Sequence, residues 1–130
     1  MTRSRLKATG RADYGSYFKV PKIVTSDPAY FALGAWSVKL LIDLASQYHG
    51  SNNGDLCCTW SMMKKVGWKS PATLHKAKKQ LEESGFIQLT RQGGLPKCSL
   101  YALTWEGIDE CKGKLDVLST AVGSYRWRTK

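Results

Sequence analysis

Residues 59–105 constrain the fold more than any other part of the sequence, because two short helical patterns, a glycine turn and a hairpin pattern follow one another there. Thr59 is the expected N-cap of the first helix. Gly67 is expected to end it, since glycine readily adopts the positive φ that terminates a helix, and Trp68 can fill the angle before a second helix. The buried stripe predicted by helical spacing is Met62, Met63 and Val66.

The second helical pattern has well-marked ends. Ser70 can cap its first turn, and Pro71 suits the first helical position because no N–H is needed there. Gly85 is expected to stop this helix. The core stripe predicted by its spacing is Leu74, Ala77 and Leu81.

Positive charge concentrates on the second helix and the residues around it. Between residues 64 and 97, eight lysines and arginines stand against two glutamates. The whole chain has 20 Lys and Arg against 10 Asp and Glu, a formal net charge of +10, which favours a polyanionic partner. The outer face predicted for the second helix comprises Ala72, Lys76, Lys79 and Glu83, flanked by Thr73, His75 and Gln80.

A hairpin pattern follows, with a strand-like run at 86–91, a glycine turn at 92–96 and an alternating run at 97–105. Arg91 and Lys97 flank the turn. The alternation leaves two choices for the apolar face of the second strand, which are Cys98, Leu100, Ala102 and Thr104 or else Tyr101, Leu103 and Trp105.

This arrangement resembles the winged helix-turn-helix superfamily. More narrowly, it is similar to small helix-turn-helix proteins of proteobacterial mobile elements and prophages, including the DNA-binding domains of some replication initiators. The strongest signal is the string LEESGFI at 81–87, which many winged helices share. The other matching features are a first helix at 36–48, Asn52-Asn53-Gly54, the Gly67 corner and Leu103-Thr104-Trp105.

The resemblance implies an α+β winged helix-turn-helix domain, with a helical core and the hairpin as its wing. It further implies that the helix after Ser70 enters the major groove of duplex DNA and that the wing reaches the flanking backbone or minor groove. The candidates for base contact are Thr73, Lys76 and Gln80, with His75 at the margin. The candidates for phosphate contact are Lys64, Lys65, Lys69, Ser70, Lys79, Arg91 and Lys97.

The sequence is expected to divide into a basic N-terminal arm at 1–17, the winged domain at 18–105 and a C-terminal extension at 106–130. The arm contributes the cations Arg3, Arg5, Lys7 and Arg11.

The first main helix of the domain is predicted at 35–48. Four tryptophans, at positions 36, 60, 68 and 105, are expected to pack in the core or at the helix corner. The inward stripe of the first helix is predicted to be Val38, Leu41, Ile42 and Ala45.

The C-terminal extension repeats apolar residues at the interval of a helical seam. Gly107 and Gly113 weaken an isolated helix, each by about 1 kcal/mol relative to alanine. Two arrangements stay open: a helix that folds back on the domain, and a helix that pairs with a second subunit as a homodimer. The final residues 124–130 interleave aromatics with cations, which suits nucleic acid as well as a frayed tail. The seam residues are Ile108, Cys111, Leu115, Leu118 and Val122.

The motif content argues against catalysis, cofactors and metals. Neither a nucleophile motif nor a phosphate-binding loop occurs, and adjacent carboxylates on a helix point in different directions. The four cysteines match no zinc spacing and are expected to be buried free thiols, and nothing supports a zinc site formed by Cys57, Cys98 and His75. No apolar run reaches the roughly 18 residues that span a bilayer, so a cytoplasmic, nucleoid-associated protein is expected.

The sequence therefore predicts non-catalytic, sequence-specific binding of double-stranded DNA, by a transcription regulator or replication-initiation factor of a mobile element or phage. The alternative is a winged-helix module that binds a protein partner, such as a host defence or replication complex. A third interpretation, RNA binding through the basic arms, fits the charge but lacks a module signature.

Overall fold

The computed structural model describes residues 15–94 and 96–129, which form an α+β fold. The basic residues predicted for the N-terminal arm, Arg3, Arg5, Lys7 and Arg11, lie outside the described residues. The elements in chain order are α1 (Lys22–Thr25), α2 (Pro28–Phe31), α3 (Ala35–Ala45), α4 (Trp60–Met63), α5 (Pro71–Ser84), β1 (Ile87–Arg91) and β2 (Leu100–Leu103), with 3-10 turns at Lys64–Val66, Cys111–Gly113 and Arg126–Thr129.

Helix α3 lies at the centre of the core and is shorter than the predicted helix at 35–48. It ends at Ala45, after which residues 46–48 form turns. The predicted inward stripe was partly wrong, because Ile42 is exposed and Val38 is only half-buried. The buried face is rotated toward Ser37, where α5 packs against α3. The buried residues of α3 are Ser37, Leu40, Leu41, Leu44 and Ala45.

The predicted corner between two short helices is present. One turn of α4 passes into the 3-10 turn, and Gly67 ends it with a φ of 101°. Trp68 is buried beneath the corner and contacts Trp36, their ring centroids being 5.0 Å apart. The predicted stripe of α4 was wrong for Met62 and Val66, which are exposed, since Trp68 fills the space below the corner.

Helix α5 matches its sequence prediction at both ends. The Ser70 side chain accepts a hydrogen bond from the Thr73 N–H, Pro71 occupies the first helical position, and Gly85 has a left-handed φ of 89°. A side chain at Gly85 would also collide with the backbone of Arg126, which a Cβ would approach to 2.7 Å. The buried stripe is the predicted one, Leu74, Ala77 and Leu81.

The hairpin buries both faces of β2, so neither of the two alternatives from the sequence describes it alone. Tyr101, Leu103 and Trp105 belong to the main core, whereas Leu100 and Ala102 are buried outside it. The second face is covered because the chain after residue 105 returns along the hairpin. Its backbone donates two hydrogen bonds, from Asp116 N to Thr90 O at 2.8 Å and from Tyr125 N to Thr104 O at 2.8 Å.

The C-terminal extension folds back on the hairpin without the predicted seam helix. Its only helical pieces among the described residues are the two 3-10 turns, and the five seam residues do not share one helical face. Ile108 is buried, but Leu118 and Val122 are exposed. The backbone of the extension bonds to Asn53, Thr90 and Thr104 and makes turn contacts with itself, such as Gly113 N to Glu110 O, and this explains the absence of an α-helix over residues 106–129.

The end of the extension contributes an aromatic residue to the core. Trp127 is 1% exposed and stacks on Phe86 with ring centroids 5.2 Å apart, and Trp105 meets it edge-on. A tryptophan in this position cannot stack on nucleic-acid bases, so that interpretation of the aromatic tail was wrong for Trp127.

We expect Trp127→Ala to lower the free energy of unfolding by about 3 to 5 kcal/mol, because it removes a large side chain from a filled core. Urea denaturation followed by circular dichroism measures the change. Leu118→Ala is the matched control, since Leu118 is 88% exposed in the same extension. It should change stability by less than about 0.5 kcal/mol. Equal losses for the two variants would contradict the packing of the extension.

Candidate nucleic-acid interface

The orientation of the α4–α5 corner depends on one carboxylate of α3. Asp43 Oδ2 accepts hydrogen bonds from Lys39 Nζ at 2.8 Å and from the Trp68 indole Nε1 at 2.9 Å. Lys39 Nζ also donates to the carbonyl of Val66 at 2.9 Å and lies 5.5 Å from the centre of the Trp68 ring. These contacts tie α3 to the residues on both sides of Gly67. They therefore fix the direction in which α5 leaves the corner.

Lys39 and Asp43 lie outside the inward stripe that the sequence predicted for the first helix, and their role was not predicted. Their i,i+4 spacing was the available signal, since such pairs meet on one helix face. It does not indicate that the pair also reaches Trp68, which is 25 residues further along the chain.

The outer face of α5 is exposed and mostly basic. Lys76 and Lys79 both project from it. Of these two lysines, only Lys79 forms an ion pair with a described residue, its Nζ lying 3.9 Å from Glu83 Oε1. That pair is well exposed on both sides, so solvent screens it and it holds Lys79 only weakly. The exposed residues of this face are Ala72, His75, Lys76, Lys79 and Glu83.

One predicted base-contact residue, Gln80, is already engaged within the fold. Its side-chain oxygen accepts a hydrogen bond from the Gly34 N–H at 3.0 Å and another from the Ser37 hydroxyl. Gln80 thereby joins α5 to the first turn of α3, although the residue itself is exposed. Only its amide N–H groups are left to bond to a ligand. Gln80 can therefore recognise only hydrogen-bond acceptors on that ligand.

Thr73 and Ser70 lie at the start of α5. Thr73 is half-buried and lines a shallow groove together with Trp36 and Lys76. The Ser70 hydroxyl oxygen caps the helix through the Thr73 N–H at 3.3 Å. The hydroxyl hydrogen is still a donor, so capping does not prevent Ser70 from donating to an anion.

Three further lysines of the predicted set surround the corner. Lys64 and Lys65 lie on the 3-10 turn before Gly67, and Lys69 lies between the corner and α5. All three are exposed. They extend the basic surface from α5 onto the preceding turn.

The two predicted hairpin cations differ in whether their side chains are engaged within the fold. Arg91 is half-buried, and its guanidinium donates to the Cys98 carbonyl at 2.8 Å from Nη2 and 3.3 Å from Nε. Lys97 is exposed beside the turn, and its carbonyl accepts from Gly94 N at 2.9 Å. Arg91 therefore supports the hairpin as well as carrying charge, whereas the Lys97 side chain points into solvent.

Lys78 completes the link between α5 and the hairpin. It is half-buried, and its Nζ lies 5.9 Å from the centre of the Tyr101 ring on β2. Burial raises the pKa of the Tyr101 phenol above its usual value, so the ring stays neutral beside this ammonium. The contact turns Lys78 away from the outer face formed by Lys76 and Lys79.

Over residues 15–94 and 96–129, no group of three His, Cys, Asp or Glu side chains is placed to hold a metal ion. In the same part of the chain, every helix is too short or too polar to cross a bilayer. Comparisons with protein-family models, curated proteins and solved structures found no match.

We expect Asp43→Ala to destabilise the protein by about 1 to 3 kcal/mol, because the buried indole N–H of Trp68 loses its acceptor. Urea denaturation again gives the measurement. Glu83→Ala is the control, because it removes a carboxylate from an exposed i,i+4 pair and should cost no more than about 0.5 kcal/mol. The proposed role of Asp43 fails if its variant is as stable as the Glu83 variant.

Proposed function

We propose that the protein binds double-stranded DNA without catalysis, as a winged helix-turn-helix domain in which α5 is the recognition helix and the β1–β2 hairpin is the wing. The observation that carries the proposal is the exposed basic face of α5, which follows a tight corner held against α3 by Asp43. An α-helix presented in this way fits the major groove of B-form DNA.

The charge pattern supports a phosphate backbone as the ligand. The exposed lysines at positions 64, 65, 69, 76 and 97 have no carboxylate within ion-pair distance among the described residues. Neighbouring cations of this kind repel one another in the free protein, and a polyanion relieves this repulsion while it releases condensed counterions.

The proposed contacts divide into two kinds. Lys76, His75 and Thr73 are nearest the start of α5 and are our candidates for reading base edges. Gln80 is a weaker candidate than the sequence suggested, since its oxygen is engaged by α3. We assign the phosphate contacts, which position the protein without specifying sequence, to Lys64, Lys65, Lys69, Ser70, Lys79, Arg91 and Lys97.

Within this proposal, the protein acts as a transcription regulator or a replication-initiation factor of a mobile element or phage. A protein-binding role is the second candidate. The observation that favours it is the exposure of Leu118 and Val122 along one groove of the C-terminal extension. A homodimer would cover the same two side chains.

We expect the affinity for duplex DNA to fall steeply with salt. For about 5 to 8 phosphate contacts, the logarithm of the association constant should decline against the logarithm of salt concentration with a slope of roughly −4 to −7. Fluorescence anisotropy with a labelled random-sequence duplex, titrated at several salt concentrations, measures the slope. Absence of binding at low salt would favour the protein-binding candidate.

We expect Lys76→Ala and Lys79→Ala to have different effects. Loss of Lys76 should cost about 1 to 3 kcal/mol on the best site and relax sequence preference, because lysine can donate to guanine in the major groove. Loss of Lys79 should weaken all sequences alike, as expected for a phosphate contact.

Selection of bound duplexes from a random pool identifies the best site, and competition titrations then compare the variants. Lys112→Ala is the matched control, since Lys112 is an exposed lysine of the C-terminal extension, outside α5 and the hairpin. Its affinity should stay close to that of the wild type. Equal losses on all sequences from the Lys76 and Lys79 variants would remove Lys76 from the base-reading set.

A further inference from the structure

Two cysteines that are far apart in the sequence meet beside the hairpin. Cys57 precedes α4, Cys98 lies between the hairpin turn and β2, and their Sγ atoms are 3.2 Å apart although 41 residues separate them. Both residues are free thiols as predicted, but both are half-buried, so the prediction that they are buried was wrong. The function proposed above uses neither of them.

The backbone around the pair is held at close range by other contacts. Leu56 and Tyr101 form an antiparallel bridge, with hydrogen bonds of 3.2 Å from Leu56 N to Tyr101 O and 2.9 Å from Tyr101 N to Leu56 O. The side-chain amide of Gln47 holds Cys57 on both sides, accepting from its N–H at 3.0 Å and donating to its carbonyl at 2.7 Å. The two thiols therefore face each other because of the fold, independently of any bond between them.

A short movement would join the two sulfurs. A disulfide bond is about 2.05 Å long, so the Sγ atoms need to approach by roughly 1 Å. Since side-chain rotation can supply such a distance, the bridge between Leu56 and Tyr101 need not break.

The surroundings of the pair include a cation. Arg91 Nη2 lies 3.9 Å from Cys98 Sγ while it donates to the Cys98 carbonyl. The guanidinium therefore places a positive charge beside the Cys98 sulfur. Burial and its hydrogen bond with Cys98 raise the pKa of the Cys57 thiol.

We propose that Cys57 and Cys98 form a reversible disulfide, so that the loop before α4 and the second arm of the hairpin are a redox modification site. The oxidant is a small-molecule disulfide such as glutathione disulfide. Cys98 loses its proton to solvent and attacks one sulfur of the oxidant, a bond from Cys98 to glutathione forms, and the first glutathione leaves as a thiolate. Cys57 then loses its proton to solvent and attacks the Cys98 sulfur, and the second glutathione leaves.

This exchange is balanced: two protein thiols are oxidised to one disulfide, and one glutathione disulfide is reduced to two glutathione molecules. In a reducing cytosol such a bond forms transiently, which suits a sensing role more than a structural one. The bond would tie the hairpin arm that supports Arg91 to the loop that leads into α4. The formation of this disulfide does not depend on which ligand the hairpin binds.

The other two cysteines serve as internal controls. Cys58 is 2% exposed, and burial raises the pKa of its thiol to about 11, so it reacts slowly near neutral pH. Cys111 is half-buried, but its Sγ lies 3.6 Å from the Asn53 carbonyl oxygen and has no hydrogen-bonded thiol partner.

The test equilibrates the full chain with reduced and oxidised glutathione, quenches exchange with acid, alkylates free thiols and maps tryptic peptides by mass spectrometry. We expect the alkylated thiols to fall from four to two, and peptide 40–64 to be joined to peptide 98–112. The first peptide also contains Cys58 and the second also contains Cys111. The assignment therefore uses Cys111→Ser, in which only Cys98 can supply the bond from the second peptide, and Cys57→Ser, in which the bond should be lost. Dithiothreitol should restore all four thiols.

A second readout is thermal stability, which also shows that the oxidised chain is folded. The bond closes a long loop, so the melting temperature of the oxidised wild type should exceed that of the reduced form by roughly 5 to 10 °C. The Cys57→Ser and Cys98→Ser variants should show no such rise in the same buffers.

The proposal is overturned if Cys57 and Cys98 remain free under conditions in which glutathione caps Cys111. It is also overturned if they bond to glutathione or to a second chain rather than to each other. A fall in melting temperature on oxidation would contradict the claim that the reduced fold already brings the two sulfurs together.

Discussion

The buried side chain of Asn53 joins three parts of the chain that are distant in sequence. Its amide nitrogen donates to the carbonyls of Leu103, Glu106 and Gly107 at 3.0, 3.2 and 2.9 Å, and its oxygen accepts from Leu103 N at 2.8 Å. A fully buried amide is costly unless its donors and acceptors are satisfied, and here each is. The loop after α3, the end of β2 and the start of the extension are therefore fixed together.

The position of α5 relative to the hairpin depends on a second set of contacts, which the extension completes. The Thr104 hydroxyl donates to the carbonyl of Gly85 at 2.7 Å, at the point where α5 becomes the hairpin. Trp127 then packs on Phe86, the next residue, from the other end of the chain. The helix that we propose as the DNA-reading element thus has its C-terminal end held by Thr104 of the hairpin and by Trp127, which the sequence assigned to a separate extension.

The parts of the fold that sequence predicted are those with local causes. Ser70, Gly67 and Gly85 act on their own turns, so the ends of α5 and the corner were predictable, as was the outer face of α5 from its period. Three features were not predictable from the sequence: the rotation of α3, the hydrogen bonds of Gln80 and the burial of Trp127. Each depends on a partner more than 40 residues away, such as Gly34, which is 46 residues from Gln80. The helix predicted from apolar spacing in the extension was wrong for the same reason, because contacts with the hairpin replace those within a helix.

The basic surface follows from how the fold uses its carboxylates. Every aspartate among the described residues accepts a hydrogen bond within the fold. Asp27 caps α2, and Asp43 holds the corner. The other three accept from Lys114, from the Asn53 N–H and from the Gln92 N–H, and they are Asp55, Asp109 and Asp116 respectively. None of these contacts neutralises a lysine of α5 or of the turn before it. Because the aspartates orient backbone and side chains elsewhere, the exposed lysines of α5 and of the turn before it face solvent or a ligand. A ligand with closely spaced phosphates can pair with several of these lysines at once.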